Sequence, residues 1–265
     1  MKIAAGIEYC GIRFSGWQRQ KHAPSVQEHV EKALSSVADR DVVVICAGRT
    51  DAGVHALHQV VHFESEVQRE CHSWVYGSNA KLVSDISLLW AKPVNDEFHA
   101  RYSATGRHYR YIIMNRTTRP GISDGFTAWE HRKLDVDLMS AASKFLIGEH
   151  DFTSFRGRGC QSRSSIREVR RLEICRKGEY ILIDIHANAF LLHMVRNIVG
   201  VLTMVGSGEQ DPAWAGEVLL ARSREKGGVT APASGLYLMG IQYPDIFEIP
   251  KSPRCGWPLF DENDL

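Results

Sequence analysis

None of the six cysteines in this 265-residue chain stands in a C-x-x-C pair. A structural zinc site or a thioredoxin-like motif needs such a pair, so neither is expected. Cysteines scattered at Cys10, Cys46, Cys71, Cys160, Cys175 and Cys255 predict reduced thiols and a cytoplasmic setting. A long apolar run is also missing. The most apolar stretch, 189–205, is too short for a membrane span and carries His193, Arg196 and Asn197. The start, Met1-Lys2-Ile3, passes straight into an alternating pattern, so no secretory leader is expected. Neither a glycine-rich nucleotide loop nor a cluster of metal-spaced histidines is found. Disorder is expected only at the proline-rich end from Pro244 to Leu265.

The net charge is +1, but its distribution is uneven. Between Glu97 and Asp124 there are five arginines (Arg101, Arg107, Arg110, Arg116 and Arg119) and no acid. From Arg156 to Lys177 eight basic residues face only Glu168 and Glu173. Basic segments in a near-neutral protein fit a localised polyanion-binding face, or else merely solvated strands and loops. With 44% apolar residues the chain can bury a substantial core.

Hydrophobic periodicity gives the element order. Lys2–Tyr9 alternates as a strand. Ser25-Val26-Gln27-Glu28 has the form of a capping box ahead of a helix carrying Val26, Val30, Ala33 and Val37. Asp41–Ala47 reads as a buried strand, Val60–Phe63 as a short strand, Glu66–Asn79 as a helix and Ile86–Val94 as a strand. The second half predicts a strand over Ala104–Met114 and a helix over Val136–Leu146. Strands over Ile166–Cys175 and Tyr180–His186 follow, turning at Lys177-Gly178. Helices over Ala189–Val205 and Pro212–Ala221 and a strand over Leu236–Tyr243 complete it. Each half thus has the ferredoxin-like order β-α-β-β-α-β. The expected fold class is α+β: two such halves joining into a mostly antiparallel sheet with a central cleft. The expected boundaries are 1–100, 101–245 and a tail over 246–265.

Three groups of residues carry candidate chemistry. Asp51 lies in Ala47-Gly48-Arg49-Thr50-Asp51-Ala52-Gly53-Val54-His55, a loop leaving a strand, where a side chain can be held rigidly. It could equally be a turn in which Asp51 bonds its own backbone. Arg196 falls within an apolar helix and needs an anionic partner, Asp51 or Asp184 being the nearest candidates, unless it snorkels to an exposed edge. His193 reads as a hydrogen-bonded core residue. In Arg107-His108-Tyr109-Arg110-Tyr111 alternation puts Arg107, Tyr109 and Tyr111 on one face. Interleaved arginine and tyrosine suit phosphate contact and base stacking, or a cross-strand aromatic pair.

Together these residues become specific. Gly16-Trp17-Gln18-Arg19-Gln20, Cys46 to His55, Phe98-His99-Ala100-Arg101, Tyr102 to Ile113, Asp151-Phe152-Thr153-Ser154-Phe155, Asn188 to Gly200 and Gly235-Leu236-Tyr237-Leu238 occur in this order. In these blocks the chain closely resembles the bacterial tRNA pseudouridine synthase A family, from residue 2 to about residue 243. Cys10 departs from it, since the family commonly has Asp there. The resemblance implies isomerisation of uridine to pseudouridine at positions 38, 39 and 40 of the tRNA anticodon stem-loop, by a homodimer and without cofactor. It implies that Asp51 is the essential aspartate, Arg196 its charge partner, Tyr109 the active-site tyrosine, Leu236 the apolar residue against the base and Arg49 a residue of base flipping. Arg107, Arg110, Arg158 and Arg163 are the expected RNA-binding cations. Asp51 as nucleophile and Asp51 as base remain equally open. Two rival readings are a non-catalytic RNA-binding protein and a retaining glycosidase, which needs a second nearby carboxylate such as Glu64 or Asp184.

Overall fold

The computed structural model describes residues 1–251. The part of the expected tail at 252–265, with Cys255, lies outside the described residues. The described residues form two compact units, one over 1–105 with 237–251, the other over Gly106–Leu236.

The first unit runs β1 (Lys2–Tyr9), α1 (Val26–Ala38), β2 (Ile45–Cys46), β3 (His55–Glu64), α2 (Cys71–Asn79) and β4 (Ile86–Val94). β1 is antiparallel to both β4 and β3, and β2 is antiparallel to β3. The spatial order is therefore 4-1-3-2, that of a ferredoxin-like unit. Ser25 caps α1, its hydroxyl accepting the Glu28 N–H at 3.4 Å. Val30, Ala33, Leu34 and Ala38 are the apolar stripe that the helix buries. Ala4 and Val60 form a second core with Ala47, Phe98 and Ala100, against which Trp90, Tyr243, Phe247 and Ile249 pack.

The second unit runs β5 (Gly106–Asn115), β6 (Ala128–Glu130), α3 (Val136–Ser143), β7 (Gly148–Asp151), β8 (Ile166–Lys177), β9 (Tyr180–Ala187), α4 (Met194–Gly206) and α5 (Trp214–Ala221). β5, β9, β8 and β7 are successive antiparallel neighbours, and β6 runs parallel to β5. The β8–β9 hairpin turns at Gly178, whose φ is 58°. β10 (Leu236–Gln242) pairs in parallel with β3 through Tyr237 opposite His55 and Leu238 opposite Ala56. The protein is thus α+β with mostly antiparallel strands. Among the described residues no helix is long and apolar enough to cross a membrane.

Several elements differ from expectation, among them β6 and β7, which the expected order lacks. Only Ile45–Cys46 of the Asp41–Ala47 segment is a strand. Side chains take over its backbone donors: Val42 N–H goes to Ser35 Oγ at 2.8 Å and Val44 N–H to Glu31 Oε1 at 3.1 Å. β3 is ten residues rather than four, because His55, His58, Gln59 and His62 are buried within it despite their polarity. α2 begins at Cys71, not Glu66. α4 begins at Met194, not Ala189, because His193 takes a left-handed conformation with φ 60° and starts the helix there. Arg196 therefore lies in the first turn of α4 and not at mid-helix.

Candidate functional site

In the first unit the Asp51 loop is clamped on several sides. The Ala47 N–H donates to Val60 O at 2.8 Å. The Gln59 amide grips Gly48 twice, donating to its carbonyl at 2.6 Å and accepting its N–H at 3.4 Å. Trp17, itself 1% exposed, donates its N–H to Thr50 O at 3.0 Å, and the Tyr9 hydroxyl shares a 2.8 Å hydrogen bond with Thr50 Oγ1. Val54 N–H returns to Asp51 O at 3.2 Å. Gly16, at φ +94°, lies so close that a Cβ there would stand 2.7 Å from Thr50 O and 3.0 Å from Asp51 C. Asp51 itself is half-buried and Arg49 is exposed. The Gly16-Trp17 block and the aspartate block are thus one structural assembly, which explains why both occur in the sequence. The Cys46 thiol just ahead of the loop is pushed up to about 12 by burial, with Arg49 and Arg101 acting the other way. It stays a neutral core group.

The second unit carries Tyr109, Arg196 and Leu236. Tyr109 is 8% exposed and meets the Phe190 ring edge-on, with centroids 5.1 Å apart. Two residues along the same strand face, Tyr111 is fully buried and donates its hydroxyl to Pro232 O at 2.7 Å. Burial raises the Tyr111 phenol well above its ordinary value, and Arg196 nearby acts in the opposite sense. Arg196 Nε donates to Ala231 O at 2.7 Å while Ala231 N–H donates to Arg196 O at 3.1 Å. The 228–236 segment is thereby laced onto α4. Gly200 makes this approach possible, since a Cβ there would stand 1.9 Å from Val229 O. The same segment ends on Leu236, buried at 6% exposure.

Asn197, next to Arg196, is a hub that sequence reasoning missed. Its amide donates to Phe155 O at 2.7 Å, and its oxygen accepts from Thr230 Oγ1 at 2.6 Å and Arg224 at 3.1 Å. Phe152 and Phe155 are fully buried, and Ser154 Oγ accepts the Ser223 N–H at 2.9 Å. The Asp151–Phe155 block therefore supports α4. A buried Asn in an otherwise apolar helix was the available signal. His193 is half-buried at the head of α4.

The expected cations divide by environment. Arg110 is fully buried, and its Nε donates to both oxygens of Asp184 at 3.0 and 3.1 Å. His108 Nε2 adds a third contact to Asp184 at 2.5 Å. This corrects the expectation for Arg110: it has no surface to offer a phosphate and serves as an internal counter-ion. It also settles Asp184, whose carboxylate is held by Arg110 and His108, as neither partner of Arg196 nor second glycosidase acid. Glu64 is exposed at the end of β3, opposite Lys2. Arg107 is half-buried and donates to Asn188 O at 2.7 Å. Arg158 and Arg163 are exposed. Their loop is shaped from within. Arg156 donates to Cys160 O at 2.6 Å and Ser162 O at 2.9 Å, and Arg167 to Ser162 Oγ at 2.7 Å and Ser164 O at 3.1 Å. Two arginines thus build a loop that displays two others.

The sequence pattern of the tRNA pseudouridine synthase family matches residues 5–103 and 142–244. The chain belongs to that family. It is similar to the tRNA pseudouridine synthase A of Nitrosococcus oceani, at 56% identity over 96% of this chain and 98% of the relative. The protein of that name from Coxiella burnetii is 53% identical over 95% of this chain and 97% of its own length. That of Vibrio vulnificus is 54% identical over the full length of both. A tRNA pseudouridine synthase is an isomerase, and the family's sequence match takes in the whole Asp51 loop and the whole of α4.

Proposed function

We propose that the protein converts uridine to pseudouridine at positions 38, 39 and 40 of the tRNA anticodon stem-loop, acting as a homodimer and without a cofactor. The observation carrying this reading is the Asp51 loop: one half-buried carboxylate on a backbone clamped by Gln59, Trp17 and Tyr9, in a chain of this family. Isomerisation breaks the bond from C1′ to N1, turns the uracil and forms a bond from C1′ to C5. The C5 hydrogen leaves as a proton. No electron is gained or lost overall. Asp51 acts at the sugar, as nucleophile or as base. Arg196 is its charge partner, on an α4 turn fixed through Ala231. The reacting base must leave its stack, and Tyr109 and Leu236 offer it an aromatic and an apolar wall. Arg49 assists the flip. Arg107, Arg158 and Arg163 hold the RNA backbone, which positions the substrate and supplies most of the affinity.

Release of tritium from 5-tritiated uridine in unmodified tRNA by the purified enzyme tests the reaction, because the isomerisation expels the C5 hydrogen and no methyl donor is present to displace it by C5 methylation. Asp51→Asn should bind tRNA with the wild-type Kd and release no tritium. Measurable release from a folded Asp51→Asn enzyme removes Asp51 from the chemistry.

A further inference from the structure

The turn from Phe98 to Ser103, in the first unit, holds one aromatic ring out in solvent on a locked frame. His99 Nδ1 accepts the N–H groups of Arg101 and Tyr102, each at 3.2 Å. The His99 N–H donates to Ser103 Oγ at 3.0 Å, and Ser103 N–H returns to His99 O at 2.9 Å. Ala100 is pinned at both ends: its N–H donates to His62 Nδ1 at 3.0 Å and its carbonyl accepts the Tyr243 hydroxyl at 2.6 Å. Phe98 is fully buried against Tyr243 and Phe247. On this frame Tyr102 is 76% exposed, with one face stacked on His99 at 4.3 Å and 30°. The Arg101 guanidinium stands 5.8 Å from the same ring.

A large aromatic ring held on a rigid turn offers a ligand contact area at little ordering cost. The surroundings say which kind. Ala47, at the start of the Asp51 loop, packs with Phe98 and Ala100 of this turn in one core cluster. Lys2 Nζ donates to Phe98 O at 3.2 Å. Asp96 and Glu97 precede the turn, and from Phe98 to Ser123 the chain has no acid. A flat aromatic face next to guanidinium groups suits an unstacked nucleobase and its phosphate, because every base has a π-face and every nucleotide a charge.

We infer that Tyr102 is a stacking platform for a base of the substrate tRNA other than the reacting uridine, with Arg101 on the adjoining phosphate. The inference rests on the proposed function for the identity of the RNA, but it concerns binding and is tested without turnover. An anticodon-arm RNA is made with 2-aminopurine in turn at each position flanking the target uridine, and its Kd and fluorescence are measured with wild type, Tyr102→Phe and Tyr102→Ala. One position should be quenched by wild type and by Tyr102→Phe but not by Tyr102→Ala. The alanine variant should bind about 5- to 160-fold more weakly. At saturating enzyme it should still release tritium within a few-fold of the wild-type rate. An unchanged Kd for Tyr102→Ala overturns the inference, and so does a weaker Kd without the loss of quenching at any one position. Unchanged RNA affinity with a shift in sedimentation would assign the ring to contact with a second copy of the chain instead. Wild-type enzyme that binds this RNA but releases no tritium sinks the functional reading and leaves the Kd comparison decisive for Tyr102.

Discussion

Replacing Gly16 by alanine should move the Asp51 loop without touching any residue of it. At φ +94° a side chain is strained by about 1–3 kcal/mol. The new methyl would also stand 2.7 Å from Thr50 O, about 0.7 Å inside ordinary contact, and 3.0 Å from Asp51 C. Neither neighbour is the end of a flexible side chain, since both are backbone atoms. The loop must therefore shift by several tenths of an ångström, against the hydrogen bonds from Trp17 and Tyr9. Overpacking of this sort adds about 1–3 kcal/mol. A total of about 2–6 kcal/mol should lower Tm by about 4–24 °C in a protein of this size. Displacing a catalytic group by up to about 1 Å can cost about 100-fold in rate. Single-turnover tritium release at saturating enzyme, with the tRNA Kd measured in parallel, should show that loss in rate with little change in affinity. Gly48→Ala is the matched control for stability, because a Cβ there meets nothing within 4 Å. Its Tm should stay within about 2 °C of wild type. If Gly16→Ala melts and turns over like wild type, contact with Gly16 does not hold Asp51 in place.

Other outcomes follow from groups away from the loop. Asp184→Leu leaves the buried Arg110 without its counter-ion and should cost about 3–5 kcal/mol by urea denaturation, while Asp184→Leu with Arg110→Met should recover most of the loss. A double variant no more stable than the single one would refute the reading of Arg110 as an internal counter-ion. Burial pushes His58, His62 and His186 down to about 4 from an ordinary 6.5, so these imidazoles are neutral in the folded state. The unfolded chain takes up protons near 6.5 and the folded chain only near 4; stability is therefore full above 6.5 and declines as pH falls towards 4. Urea midpoints that stay constant from pH 7 to 4.5 would contradict this. Neutralising Arg158 and Arg163 together should reduce the slope of log Kd against log salt by about 0.7–0.9 for each phosphate left without its arginine; an unchanged slope would mean that the loop is only solvated.

Much of the fold is legible in the sequence because its signals are local. β1, β4 and the capped start of α1 can be read to the residue, from alternation and from Ser25 with Glu28. The elements that mislead are those in which polar side chains replace a local rule. The 41–47 segment is apolar enough for a strand, yet Glu31 and Ser35 of α1 take its N–H groups. β3 looks too polar at His55, His58, Gln59 and His62, yet each is buried with a partner or a stacked ring. The bonds to His55, His58 and His62 join residues 32 to 44 positions apart, beyond any local window of sequence.

For the site, the same distinction separates a residue's identity from its environment. Arg110 and Tyr109 are adjacent in sequence and equally suited to RNA by composition. Strand alternation turns them to opposite faces, and only the residues opposite decide what each face meets. Arg110 meets Asp184 directly across the β5–β9 pairing, so its charge is consumed inside the sheet. Tyr109 stands opposite Ile185, which offers no side-chain hydrogen bond, and meets the edge of Phe190. One strand thus splits a basic–aromatic motif into two halves with different surroundings, the arginine half being tied up inside the sheet. The same logic holds on the 156–167 loop, where Arg156 and Arg167 are bound to backbone oxygens so that Arg158 and Arg163 stand outward. An arginine count therefore overstates an RNA-binding surface by the number of guanidinium groups the fold uses for itself, and a charge-reversal scan of this protein should find its strongest binding losses at exposed arginines and its strongest folding losses at Arg110.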